Sequence, residues 1–321
     1  MISIIIPAEK NENYIDRALE SVEAQTHTDF EALVLHSDID ALKRVVGRKY
    51  LDDERFRFIE TPKDITAGAA RNIGIDAVEG EYVYFLDSDD YISENTLELL
   101  VQNIKDHPLI RTKMQKTDFG SSFVIIMSGT NKLGIFHRNR YKLIRNHSAL
   151  GFLISKAFID SLELRFDDSH QTYSDLMFMI PLLEAVEVVP YVHEAIYFRR
   201  RRNDPVTHPS LRQLPVEQRM EDLFAIYNRL KQLELSTEAE NFLDNTLLNF
   251  YRKHLVVKFK DDSEIDAHFK GLAESIQKIN PRVLRNKDRV LLNDIRAIQT
   301  NKVGTFKRLS NFHHLLRDVR R

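Results

Sequence analysis

The stretch Tyr82-Val83-Tyr84-Phe85-Leu86-Asp87-Ser88-Asp89-Asp90 decides how this chain is read. Its opening residues are β-branched, aromatic or aliphatic, the pattern of a buried strand. Three carboxylates then gather at the strand's C-terminal end. Crowded like charges repel, and each is costly to desolvate unless a cation joins them. Hard divalent ions take oxygen ligands and also hold phosphate oxygens. The cluster therefore points to a metal–diphosphate site in the crevice where open α/β sheets bind ligands. The competing reading is a solvated turn followed by a helix cap, and the short D-x-D spacing alone does not separate the two.

Upstream lies Ala67-Gly68-Ala69-Ala70-Arg71-Asn72-Ile73-Gly74-Ile75, whose small residues let a helix approach a sheet or a ligand closely. Arg71 can offer a planar fork to phosphate. Downstream, Ser93 is the expected N-cap of an amphipathic helix carrying Leu97, Leu100, Val101 and Ile104. The chain opens with the strand pattern Ile2-Ser3-Ile4-Ile5-Ile6, stopped by Pro7. A helix (Tyr14, Ile15, Ala18, Leu19, Val22), a strand from Phe30 to Leu35, a charged helix from Ala41 to Leu51 and a strand at Arg57-Phe58-Ile59 follow. Strand and helix alternate, so the fold class is α/β, a doubly wound and mostly parallel sheet.

Taken in order, Ile4-Ile5-Ile6-Pro7, Ser21 to Thr26, Phe30 to Leu35, Gly68 to Gly74 and Asp87-Ser88-Asp89-Asp90 resemble a family 2 glycosyltransferase of the GT-A, Rossmann-like fold. The resemblance covers roughly the first two hundred residues. It implies inverting transfer of a sugar from a nucleotide-sugar, a UDP-sugar by expectation, to a hydroxyl. By the same resemblance Asp89 holds the metal, Mn²⁺ or Mg²⁺, and Asp87 lies by the ribose or the metal. Pro7, Ala8, Glu9, His36, Asp38, Gly68, Arg71, Asp87 and Ser88 are the donor-binding positions it implies. The acceptor hydroxyl must lose a proton to a carboxylate within hydrogen-bond reach. The segment Leu164-Arg165-Phe166-Asp167-Asp168, continued by Thr172-Tyr173-Ser174-Asp175-Leu176-Met177-Phe178, resembles the family's acceptor-side motif, which maps the base onto Asp175. An ordinary carboxylate at a helix N-terminus is the other reading of Asp175.

Two nucleotide-recognition elements depart from the family pattern. Ala8-Glu9-Lys10-Asn11 replaces a polar–aromatic–Asn run, and His36-Ser37-Asp38 replaces an Asp pair. Either Glu9 or Asp38 takes over base recognition, or the donor is unusual, or the domain binds nucleotide poorly and serves as a binding or assembly module for a cell-wall polymer enzyme. A nucleotidyl-transferring enzyme fits less well, because Pro7 to Tyr14 holds no glycine. Ala195 to Phe198 resembles the family's aromatic strand that closes over the donor, and Arg199 to Arg202 reads as a contact to diphosphate or to an anionic acceptor, or as a solvated basic loop.

With 321 residues and 43% hydrophobic content the chain can bury a full core. It has no cysteine, which excludes disulfides, Cys–Zn sites and thiol catalysis. No apolar run reaches membrane-spanning length and the start lacks a signal-peptide pattern, so a cytoplasmic protein is expected. A net charge of −2 argues against nucleic acid as a partner. The expected division is a GT-A domain over 1–210 and a helical region over 211–321. In the latter, Met220 to Leu233, Phe242 to Tyr251 and the surroundings of Phe269 show helical spacing. From Arg282 onward there are eleven Lys or Arg against three Asp, a basic amphipathic tail suited to the inner membrane face, to its own domain or to another subunit, a homo-oligomer being one outcome. A family 2 domain with a helical appendage resembles bacterial capsule enzymes and the glycosyltransferase region ahead of teichoic-acid glycerophosphotransferase modules. That implies glycan, polyol-phosphate or lipid-linked acceptors.

Overall fold

The computed structural model describes residues 1–9, 14–118, 133–136, 140–144, 148–201 and 211–258. The expectations for Lys10, Asn11, Arg202, the run around Phe269 and the basic tail fall outside these residues. The chain divides into two compact units, Met1–Leu214 and Pro215–Arg321.

The first unit follows the order β1 (Ile2–Pro7), α1 (Ile15–Glu23), β2 (Phe30–His36), α2 (Ile39–Val45), α3 (Arg48–Leu51), β3 (Phe56–Glu60), α4 (Ala67–Ala77), β4 (Tyr82–Phe85), β5 (Tyr91–Ile92) and α5 (Thr96–Ile104). It continues with β6 (Leu109–Asp118), β7 (Leu133–Phe136), β8 (Phe152–Ser155), α6 (Lys156–Ser161), α7 (Asp175–Glu184) and β9 (Val189–Arg201). One sheet runs β3-β2-β1-β4-β8-β6-β9-β5, with β7 on β9. β3, β2, β1 and β4 are parallel to one another, whereas β8 turns antiparallel against both β4 and β6. The fold is GT-A-like: a parallel half as the sequence implies, continued by a mixed half.

Parallel strands covered on both faces need apolar residues in succession. Ile4, Ile5, Ile6, Leu33, Val34, Val83, Tyr84 and Phe85 supply them and are fully buried. The register Ile5↔Phe85 and Pro7↔Leu35 brings the C-terminal ends of β1, β2 and β4 to one edge. The strand order reverses between β2-β1 and β4, the switch point at which open α/β sheets form a crevice.

Two local readings need correction. The single helix expected over Ala41–Leu51 is broken at Val46-Gly47 into α2 and α3, because both residues adopt extended backbone. The N-cap of α5 is Asn95, not Ser93, since β5 occupies Tyr91–Ile92 and the chain needs two further residues to turn. Ser93 instead bonds Thr96 through its hydroxyl at 2.7 Å.

The second unit is helical where described: α8 (Val216–Leu230) and α9 (Thr237–Lys258). Met220, Leu223, Ile226, Tyr227 and Leu230 of α8 are buried, as are Leu243, Leu247 and Phe250 of α9. Tyr227 donates to Asp244 Oδ1 at 2.8 Å, and Lys231 Nζ lies 3.2 Å from the same carboxylate. No helix among the described residues is long and apolar enough to cross a membrane.

Candidate active site

β4 delivers the acidic turn to the crevice. Carboxylate oxygens of Asp87, Asp89 and Asp90 lie within 4.8 Å of one another. Asp90 is the deepest of them: Tyr197 donates to its Oδ2 at 2.9 Å and the Arg200 backbone N–H to its Oδ1 at 2.8 Å. Burial, then Asp89, then Asp87 push its carboxyl well above the usual carboxylate range. The Tyr197 hydroxyl also accepts from the Asp87 backbone N–H at 3.1 Å, so one phenol fixes both ends of the turn. Burial and these two carboxylates raise that phenol in turn. Ser88 lies between the acids, fully buried, its hydroxyl unpaired. Three hard oxygen donors crowded together, with the buried Asp90 raised by its neighbours, are the donor set a divalent cation relieves, so the residues fit Mg²⁺ or Mn²⁺.

Arg71 stands behind Asp87. The Thr66 hydroxyl caps α4 by accepting from the Ala69 N–H at 3.0 Å, while donating to the Asp168 carbonyl at 3.1 Å. Gly68 is small because the helix meets the chain there: a Cβ would fall 2.1 Å from the Asp167 carbonyl oxygen. That packing by itself calls for a glycine here. One turn on, the Arg71 fork is already engaged, Nη2 on Asp87 Oδ1 at 2.8 Å and Nη1 on Asp175 Oδ1 at 3.1 Å. Burial works against the charge of this guanidinium, but Asp175 and Asp87 outweigh it and raise its pKa. Phe166 lies beneath it, 5.3 Å from ring centre to guanidinium carbon, and is itself stacked on Phe178 at 4.4 Å.

Asp175 opens α7, with only 11% of its side chain exposed. Its second oxygen accepts the Ala149 backbone N–H at 2.9 Å. Carboxylates that the sequence separates by 88 positions are thus joined through one buried arginine.

At the other end of the crevice, Glu9 accepts from both the N–H and the hydroxyl of Ser37, each at 3.0 Å. Asp38 caps α2 by accepting the Ala41 N–H at 2.8 Å. The His36 ring is buried, with Nδ1 2.9 Å from the Asp38 backbone nitrogen. Ala8 is fully buried and its N–H reaches the Leu35 carbonyl, so Pro7 and Ala8 shape the crevice with backbone. Arg199 and Arg200 belong to β9 rather than to a basic loop. Arg199 keeps one buried, unpaired N–H, and burial pulls Arg200 down while Asp89 pulls it back.

Tyr197, Phe166 and Ser37 lie within runs quoted from the sequence but carry no site role there, and Ala149 is a site residue the sequence analysis did not name. Tyr197 lies 107 positions from Asp90, and no local spacing signals their contact.

An acidic turn, and a second carboxylate tied to it through Arg71, thus sit at the switch point of a GT-A-like sheet. Residues 3–153 match the family Glycosyl transferase family 2. Over 337 aligned positions the chain is 22% identical to a teichoic acid poly(glycerol phosphate) polymerase of Staphylococcus epidermidis, covering 99% of this chain and 45% of that protein. It is 26% identical over 207 positions to an uncharacterized glycosyltransferase of Haemophilus influenzae, covering 62% of this chain and 79% of the other. In fold it is similar to S. aureus TarS 1–349, crystallised in complex with UDP-GlcNAc, with a TM-score of 0.77 at 19% identity over 98% of this chain and 91% of that one. The chain spans less than half the length of the polymerase.

Proposed function

We propose that the chain is an inverting glycosyltransferase that moves a sugar from a UDP-sugar to a hydroxyl of a polyol-phosphate, glycan or lipid-linked acceptor. The observation that carries this reading is the Asp87–Arg71–Asp175 bridge, which sets a metal-type carboxylate and a base-type carboxylate at fixed separation across one crevice. The relatives support the substrate class: one is named for poly(glycerol phosphate) and the other was crystallised with UDP-GlcNAc.

Asp87 and Asp89 would hold the cation, with Asp90 behind them. A divalent ion there supplies positive charge for the departing diphosphate. Arg71 adds a buried charge behind Asp87. Its fork being taken, it acts at a distance and as a spacer instead of clasping phosphate. In the reaction the acceptor oxygen forms a bond to the anomeric carbon as the bond from that carbon to the diphosphate oxygen breaks. Asp175 takes the hydroxyl proton and passes it to solvent. Arg71 and the Ala149 N–H each hold one Asp175 oxygen, so the carboxylate is oriented before the acceptor arrives. Glu9, Ser37 and the backbone at Pro7 and Ala8 line the end where base and ribose would lie.

The test is turnover. Purified protein with Mn²⁺, a panel of UDP-sugars and a glycerol-phosphate oligomer should release UDP and add one hexose or N-acetylhexosamine mass per transfer. Asp89→Ala and Asp175→Asn should each lower kcat by about a hundredfold or more. Wild-type rates in either variant contradict the assigned role. Cytoplasmic location, with the basic tail resting on the inner membrane face, completes the proposal.

A further inference from the structure

Arg111 of β6 is buried, yet among the described residues it faces no carboxylate. Its Nη1 donates to the Leu150 carbonyl at 2.5 Å, and its guanidinium lies 4.2 Å over the Phe152 ring. Burial pushes its pKa down to about 10, so the group stays charged at neutral pH but is costly to keep there. A residue kept for packing alone would be apolar at such a position. Beside it, Thr112 donates twice to the Gly151 carbonyl, from its N–H at 2.8 Å and from its hydroxyl at 3.0 Å. Gly151 has φ +74°, and a Cβ there would fall 2.5 Å from the Thr112 hydroxyl. Arg111 and Thr112 therefore grip two successive carbonyls of one turn. The same turn presents the Ala149 N–H to Asp175 Oδ2 at 2.9 Å.

We propose that Arg111 is a positioning residue: by holding the Leu150 carbonyl it fixes the turn whose Ala149 N–H orients the Asp175 carboxylate. The inference rests on Asp175 being the base. Arg71 supplies a charged contact to one oxygen, and Arg111 secures the neutral contact to the other through backbone. Losing the second lets the carboxylate swing about the Arg71 contact, and displacement on the scale of an ångström costs up to about a hundredfold in rate.

The experiment compares Arg111→Met, Arg111→Lys, Gly151→Ala and Asp175→Asn with wild type. It follows UDP release from whichever UDP-sugar the wild type turns over with a glycerol-phosphate oligomer, and UDP binding by titration. Arg111→Met and Gly151→Ala should lower kcat by about tenfold or more while leaving the donor KM and the UDP Kd within about twofold. Arg111→Lys, which keeps a donor and a charge, should recover part of the rate. A purely structural role would reduce kcat and UDP binding together through loss of folded protein. Folded Arg111→Met with wild-type kcat overturns the proposal while leaving the base assignment intact. Wild-type turnover by Asp175→Asn overturns the base assignment, and this inference with it.

Discussion

Gly68 shows how one missing side chain sets the site. In a helix interior alanine is favoured over glycine by about 1 kcal/mol. Here the added Cβ would sit 2.1 Å from the Asp167 carbonyl oxygen, and backbone must give way. Overpacking of that kind costs about 1–3 kcal/mol, so the clash outweighs the propensity. Gly68→Ala should be destabilised by about 1–2 kcal/mol in urea titrations, and a stabilised variant would contradict this packing. Asp90 carries a second prediction. Its carboxyl is raised above its ordinary value of 3.8, chiefly by burial and then by Asp89 and Asp87. The folded state therefore binds more protons than the unfolded one. That stability is fully present below the ordinary carboxylate range and is lost as pH rises through the raised pKa. Mn²⁺ favours the ionised cluster, so its addition should raise the melting temperature more at pH 8 than at pH 5, with protons released on binding. An Mn²⁺ response that is flat in pH would count against this arrangement.

At the scale of elements, the start of α5 is held from outside by a residue that follows α1. Gln25 donates to the Ser21 and Ser93 carbonyls, both at 2.8 Å, and accepts the Leu97 N–H at 3.0 Å. α5 has no capping side chain of its own, so Gln25, just beyond the end of α1, satisfies that helix from outside it. Gln25→Ala should cost about 1–3 kcal/mol in thermal or urea unfolding, since it strands a buried N–H and a carbonyl. A change under a few tenths would show that water replaces it. Much of this half was legible: β1, β2 and β4 are continuous apolar runs, and α1 and α4 carry their period or their small residues openly. The short pairing of Tyr91–Ile92 with Tyr197–Phe198 was not, because two residues hold no period and their partner lies over a hundred positions away. That unseen strand displaced the N-cap of α5. Asp87, Arg71 and Asp175 were each readable as residue types, but the arginine's fork was expected on phosphate, and only three-dimensional contact shows it between two carboxylates.

At the scale of the whole molecule, the helical second unit has its own buried polar core. Tyr227 and Lys231 both bond Asp244, yet burial still leaves that carboxyl raised. Tyr227→Phe removes one of these partners and should lower stability by about 1–2 kcal/mol, read as an earlier melting transition. Unchanged melting would mean that this network does not hold α8 to α9. The first unit carries the account's central claim, that the acidic turn of a family 2 domain binds nucleotide through a divalent cation. Calorimetric titration of UDP, with and without Mn²⁺, on wild type and Asp89→Ala tests it most directly. The account predicts binding by wild type that is lost without Mn²⁺ and lost in Asp89→Ala. A folded wild type that binds no UDP, or binds it equally well without metal or Asp89, would contradict the donor site and leave the domain as an assembly module.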